Sequence, residues 1–159
     1  MAITSAICNT FKQEILVEGH NFTGSTDQFK LALYSSNSAS LGKATTQWTV
    51  ASTPSATPTS TYEVSTTDTG YSSGGNTLTN IDVTLDSSTA VCDFDNSSWT
   101  SATFTARGLL LYNTTAITGF TTNRSILAIN FGGDKTVTSG TFTIEFPAAG
   151  ASTAIIQLA

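Results

Sequence analysis

From Thr77 onward, large apolar side chains return at every second position in one run after another, the period that a β-strand with one buried face imposes. Ile81, Val83 and Leu85 alternate with Asp82, Thr84 and Asp86, and Asp86-Ser-Ser-Thr89 then reads as a turn into a strand over Val91 to Phe94. Farther on, Leu127, Ile129 and Phe131 are in phase, Gly132-Gly133-Asp134 reads as a turn, and Phe142, Ile144 and Phe146 alternate with Thr141, Thr143 and Glu145 until Pro147 stops the strand. Strands this close together, joined by short polar turns, pair antiparallel, because parallel neighbours need crossovers of a dozen or more residues.

Upstream, Phe29, Leu31 and Leu33 alternate with Lys30, Ala32 and Tyr34 and predict a first, half-buried strand. Only residues 4 to 18 change the period: Ile7, Cys8, Phe11 and Ile15 fall on one helical stripe, with Thr4 or Ser5 placed to cap it. Residues 35 to 60 combine Ser, Thr, Ala and two of the three prolines around one large anchor, Trp48, and read as a long loop or arm. In ATFTARGLLLYN, strict alternation puts Phe104, Ala106, Leu110 and Tyr112 on one face and Leu109 and Leu111 on the other. The closing STAIIQLA points its two isoleucines to opposite faces, as in a strand tied into a sheet. One N-terminal helix and roughly eight strands predict a mainly β, antiparallel sandwich of jelly-roll or Ig-like type. At 159 residues the whole chain fits one domain.

Charge narrows the partners. The net charge is −5 and the six basic residues are spread singly, so no cationic stripe is available for nucleic acid or anionic lipid. No stretch approaches the roughly 20 apolar residues that span a bilayer, and the N-terminus lacks a secretion-signal pattern, so folding in a cytoplasm is expected. In that setting the Asn-x-Ser/Thr triplets at Asn21, Asn96, Asn113 and Asn123 carry little weight, since a chain rich in Ser and Thr generates them by chance. Cys8 and Cys92 have no second Cys or His at ligand spacing and read as buried free thiols.

A search for chemistry finds little. The single histidine, His20, lies in EGHNFTG without a nucleophile or an orienting carboxylate nearby in sequence, and reads as a surface or capping residue after the helix. Asp93 and Asp95, two apart, would share a strand face and with Asn96 offer oxygen ligands of the kind calcium takes, but no calcium-loop pattern surrounds them and a solvated strand end is the plainer reading. A glycosidase pair drawn from Asp82, Asp86, Asp93 or Asp95 is weaker still. The glycines of TGYSSGGN and FGGDKT lack phosphate-loop spacing and read as turn glycines. Arg107, inside an otherwise Thr and apolar strand, needs a carboxylate, and an intramolecular one is expected. No enzyme, cofactor or metal is predicted.

The ordered set ICNTFKQEI, FKLALYS, TGYSSGGNTLTNI, SSWTSATFTARGLLLYN, ILAINFGGDKTVTSGTFTIEFP and STAIIQLA resembles a family of small virion structural proteins of tailed bacteriophages, many from aquatic and cyanobacterial hosts. The resemblance covers about residues 4 to 34 and 61 to 159, and the Ser/Thr/Pro segment 35 to 60 departs from it. It implies a place in the particle and, as partners, the major capsid protein or another virion protein, with homo-oligomers and neither nucleic acid nor membrane. A capsid decoration or cement protein is the first expectation. Residues 35 to 60 would then form an arm, and Trp48, Leu109, Leu111 and Ile155 would be contact residues, unless those apolar faces are covered within the domain. A tail, neck or fibre component binding glycans or a receptor is the alternative, with Trp48, Trp99 and Tyr71 as sugar-stacking candidates. A glycan-cleaving enzyme comes third.

Overall fold

A computed structural model describes residues 2–23, 26–35, 41–48, 62–67 and 69–159. The chain is mainly β, with two antiparallel sheets and one short N-terminal helix. Its elements run β1 (Ala6–Ile7), α1 (Asn9–Glu14) continued by a 3₁₀ turn (Ile15–Val17), β2 (Phe29–Tyr34), β3 (Asn76–Thr77), β4 (Asp82–Asp86), β5 (Thr89–Asp93), β6 (Ser97–Asn113), β7 (Arg124–Ile144) and β8 (Ile156–Leu158). The larger sheet has the order β1-β7-β6-β2-β3 and the smaller the order β4-β5-β8.

The helix is shorter than the predicted span 4 to 18, and the reason lies at the sheet edge. Ala6 and Ile7 pair with Ala128 and Leu127 of β7, so this stretch is extended where a first helical turn was expected. Cys8 becomes the N-cap without a side-chain cap bond, while the Ser5 hydroxyl accepts the Asn130 amide instead of capping. The apolar stripe is still used, because Cys8 and Phe11 are buried and Ile7 and Ile15 pack beside them.

The expected turn at Gly132-Gly133-Asp134 is also overturned. β7 runs unbroken for 21 residues beside the 17 of β6, and residues 131 to 134 are extra chain opposite Arg107 alone, between the pairs Ala106↔Lys135 and Gly108↔Asn130. An insertion in a ladder shifts the phase of the side chains. Phe104 and Ala106 therefore lie in the same core cluster as Leu109 and Leu111, whereas Leu110 and Tyr112 face the other side. Strict alternation, which grouped Phe104 and Ala106 with Leu110 and Tyr112, fails at this irregularity.

β2 is buried on both faces rather than half-buried. Phe29, Leu31 and Leu33 join the main cluster with Trp99, Phe104, Cys92 and Ile156, which links the two sheets. Ala32 and Tyr34 belong to a second cluster with Ile3, Leu41 and Tyr112, against which Trp48 packs. The chain ends on either side of β2 thus fold over the reverse face of the large sheet. Of the predicted arm 35 to 60, residues 36–40 and 49–60 lie outside the described residues; residues 41 to 48 lie against this chain's own sheet through Leu41 and Trp48.

Candidate functional site

Two buried polar clusters and one exposed apolar strip are the places where this fold departs from plain packing. The first cluster gathers around His20, which is not a surface residue: its side chain is fully buried. Nε2–H of His20 donates to Glu14 Oε2 at 2.7 Å, and Nδ1 accepts from Asn113 Nδ2 at 3.2 Å, a pairing that suits the neutral ring. Asn113 also donates to Asp27 Oδ2 at 2.5 Å, and the ring packs edge-on to Phe11 at 5.1 Å. Burial pushes the imidazole below its ordinary value of 6.5, and the Glu14 bond only partly opposes this. Arg124 completes the cluster with no exposed surface, donating to the carbonyls of Gly19 (2.6 Å), Thr121 (2.9 Å) and Thr115 (3.1 Å). Here a cation closes loop carbonyls, and no hydroxyl or thiol nucleophile joins His20 in these hydrogen bonds.

The second cluster is built on Glu63, held beside β2 by the Tyr34↔Glu63 bridge and the Val64 N–H to Leu33 O bond. Its Oε1 accepts from the Tyr71 hydroxyl at 2.7 Å and the Gly74 amide at 2.5 Å, and Oε2 accepts from Ser73 at 3.4 Å. Burial raises the carboxyl above its usual range despite those donors. The same loop explains its glycines: Gly74 and Gly75 sit at φ +81° and +70°, and a Cβ on Gly75 would lie 1.8 Å from the Leu31 carbonyl oxygen. The Gly74 amide is thus taken by an internal carboxylate rather than offered to a phosphate. Neither Arg124 nor Glu63 stood out in the sequence, because a single charge in a loop or at a strand start gives no periodic signal of burial.

The remaining candidates disperse. Asp93 Oδ1 accepts its neighbour Phe94 amide, Asp95 Oδ2 accepts from Asn80, and Asn96 Oδ1 accepts from the Phe146 amide, so three different turns use the three side chains. Among the described residues no group of three or more His, Cys, Asp or Glu is placed to hold a metal ion. Cys8 and Cys92 are buried free thiols, pushed up to about 11 and about 12 by burial. Arg107, mostly covered, finds the largely exposed Asp134 at 3.3 Å across the long ribbon.

The predicted contact residues need correction. Leu109 and Leu111 are 2% and 0% exposed, sharing a cluster with Phe11 of α1 and with Cys92 and Ile156 of the small sheet. They are covered inside the chain, so they present no outward surface. Ile155 is half-buried against the β1–β7 corner, and half-buried Trp48 stacks on Tyr112 at 5.4 Å. Trp99 and Tyr71 are each 3% exposed, which removes them as stacking platforms for a sugar.

What the sequence did not single out is the small sheet. Opposed residues of an antiparallel sheet share a face, so Val83, Cys92 and Ile156 form one row and Leu85, Ala90 and Leu158 the next. The first row enters the core at Cys92 and Ile156; the second runs out of it. Val83, Leu85 and Leu158 are left 52%, 71% and 49% exposed. Beside them, the 3₁₀ turn exposes Leu16 and Val17 at 83% and 55%, while its Ile15 helps line a cavity of about 70 Å³ with Phe22, Val83, Ile156 and Leu158. Only Tyr62 is an exposed large apolar residue elsewhere among the described residues. Among the described residues β4 pairs with β5 alone, and no described strand lies at its outer edge.

Comparison with known proteins returns no matching family model, no similar curated protein and no similar solved structure. No helix among the described residues is long and apolar enough to cross a membrane.

Proposed function

We propose that this chain is a non-catalytic structural subunit of a tailed-phage virion that mounts on its neighbours through the small sheet, with capsid decoration as its role. The observation that carries the reading is the apolar strip of Val83, Leu85 and Leu158 on a sheet whose edge strand is unpaired. Folding alone gives no reason to leave Val83, Leu85 and Leu158 open to water on one sheet face, where Val83 and Leu158 also line a small cavity. The resemblance of the ordered sequence segments to small virion proteins supplies the setting.

Magnitude favours many weak contacts over one tight one. Covering side chains of this size gains about 1.5–3 kcal/mol each when fully exposed, so the half-to-mostly exposed strip is worth on the order of 4 kcal/mol. Losing free translation and rotation costs about 4–15 kcal/mol, so the strip by itself gives marginal one-to-one affinity. Repetition over a symmetric shell, or added main-chain pairing at the β4 edge, makes such a contact persistent.

The test is quantitative mass spectrometry of purified particles of the phage whose genome encodes the chain. Copy numbers comparable to the major capsid protein are expected. A few copies per particle would move the chain to the tail or neck, and absence from the particle would refute the virion reading.

A further inference from the structure

We propose that the outer edge of β4 takes up an extended strand of a different protein, one that alternates basic and apolar residues. The inference rests on the docking role given above to the small sheet and names the chemistry of what docks.

Three observations converge on this edge. Among the described residues β4 pairs with β5 on one side only, so the main-chain groups of its outer side face no described strand. All five of its residues are exposed, and its two faces differ: Val83 and Leu85 point to the apolar strip, Asp82, Thr84 and Asp86 to the opposite face. The acids have no cation of their own among the described residues, although Asp86 Oδ2 accepts the Ala151 amide at 2.7 Å. The ion pairs among the described residues involve Glu14 and Asp134, and none involves Asp82, Asp86, Asp93 or Asp95, although Asp93 stands directly across from Asp82. The β4–β5 hairpin therefore offers uncompensated negative charge on one face and bare aliphatic surface on the other.

The same pattern disfavours a second copy in full overlap at this edge. Antiparallel self-pairing centred on Thr84 would set Asp82 of each copy against Asp86 of the other, adding like-charge pairs to the Asp82–Asp93 pair the hairpin already carries. A fitting strand instead reads basic, apolar, polar, apolar, basic. Its cations lie four residues apart, about 13 Å along an extended chain, opposite Asp82 and Asp86. Its apolar side chains extend the rows begun by Val83 and Leu85, beside the cavity lined by Phe22, Ile156 and Leu158.

The probe is a fluorescein-labelled, amidated peptide with the core Lys-Val-Thr-Val-Lys, titrated into the full chain by fluorescence anisotropy at low salt. A second peptide, Glu-Val-Thr-Val-Glu, serves as the control. The lysine peptide is expected to bind at least tenfold more tightly, the D82K/D86K variant to reverse that preference, and hydrogen exchange of the β4 amides to slow on binding. Because all the substituted residues are exposed, circular dichroism should match the parent. No binding of the lysine peptide, equal binding of both peptides, or slowed exchange anywhere but β4 would overturn the inference. So would sedimentation showing a dimer of the free chain that Leu85→Ser abolishes, since a second copy would then cover the strip. A V83S/L85S variant depleted from particles while the peptides are not discriminated would leave the docking role standing and remove only the basic strand.

Discussion

Arg124→Met tests whether the buried guanidinium holds the loops around His20 together. Arg124 has no exposed surface and serves three carbonyls, those of Gly19, Thr121 and Thr115, while its Nε lies 3.9 Å from Glu14 Oε2. Methionine fills much of the space but donates nothing, so the buried Gly19 carbonyl loses its partner, the Thr121 and Thr115 carbonyls turn to water, and Glu14 keeps only His20. An orphaned buried polar group costs about 1–3 kcal/mol; about 2 kcal/mol for Gly19 and about 1 kcal/mol for the Glu14 charge, less about 1 kcal/mol for the burial regained by methionine, give a net loss of about 2 kcal/mol. Urea unfolding followed by tryptophan fluorescence at pH 7.5 measures it. With an m-value of about 2 kcal/mol/M, the midpoint should fall by about 1 M with m unchanged. Adding Glu14→Gln should recover about 1 kcal/mol, because the carboxylate is then no longer left unpaired. A loss below about 1 kcal/mol for Arg124→Met would refute the argument, since water would then replace the guanidinium at little cost.

Two further substitutions read pH. Burial raises the Glu63 carboxyl above 4.5, so its contribution to stability is complete below that value and lost as pH rises through the folded one; Glu63→Gln, which can keep the Tyr71 and Gly74 bonds, should gain on the parent with rising pH by up to ~1.4 kcal/mol per unit within that window, and a pH-independent difference in urea midpoints would contradict this. For His20 the sign reverses: its folded value lies below 6.5, so stability is complete above 6.5 and lost as pH falls towards the folded value. The parent should therefore weaken relative to His20→Gln between pH 6.5 and the folded value, and an imidazole titrating at or above 6.5 by NMR would rule that out. Gly75→Ala should destabilise by more than about 2 kcal/mol, because the added carbon meets the Leu31 carbonyl at 1.8 Å and φ is +70°; a parent-like melting temperature would show that β2 can yield.

The class of fold was legible because period two survives in nearly every strand. What was not legible follows from events that break the period or hide it. Gly132-Gly133-Asp134 looks like a turn because it begins with two glycines, yet with Phe131 it is absorbed as an irregularity inside β7, where the phase of β6 shifts between Ala106 and Leu109. Leu109 and Leu111 look like an outward face because nothing local says that α1 and the small sheet cover them. β2 reads as half-buried because Lys30 and Tyr34 are polar at one end, while the tyrosine is in fact fully buried. His20 and Arg124 come together from positions 104 residues apart, and a lone histidine with no local motif is indistinguishable from a surface one. The bare strip was missed for the opposite reason. Val83 and Leu85 alternate as any core strand does, and only the tertiary arrangement shows that they emerge beyond the core.

That last contrast separates residues kept for folding from residues kept for contact. Leu111 is fully buried, so Leu111→Ala should cost about 3 kcal/mol through lost transfer and cavity formation. Val83 and Leu85 are 52% and 71% exposed on an edge strand, so replacing both with serine removes little that the folded state buries and should cost about 1 kcal/mol or less. The same replacement takes away most of the strip that the sheet presents to water, and should raise the solubility of the free chain while depleting it from particles. Thermal unfolding and particle composition measured on the same variants decide between the two roles. If the double serine variant loses as much stability as Leu111→Ala, the strip belongs to the core of this chain, and its exposure gives no reason to look for a partner.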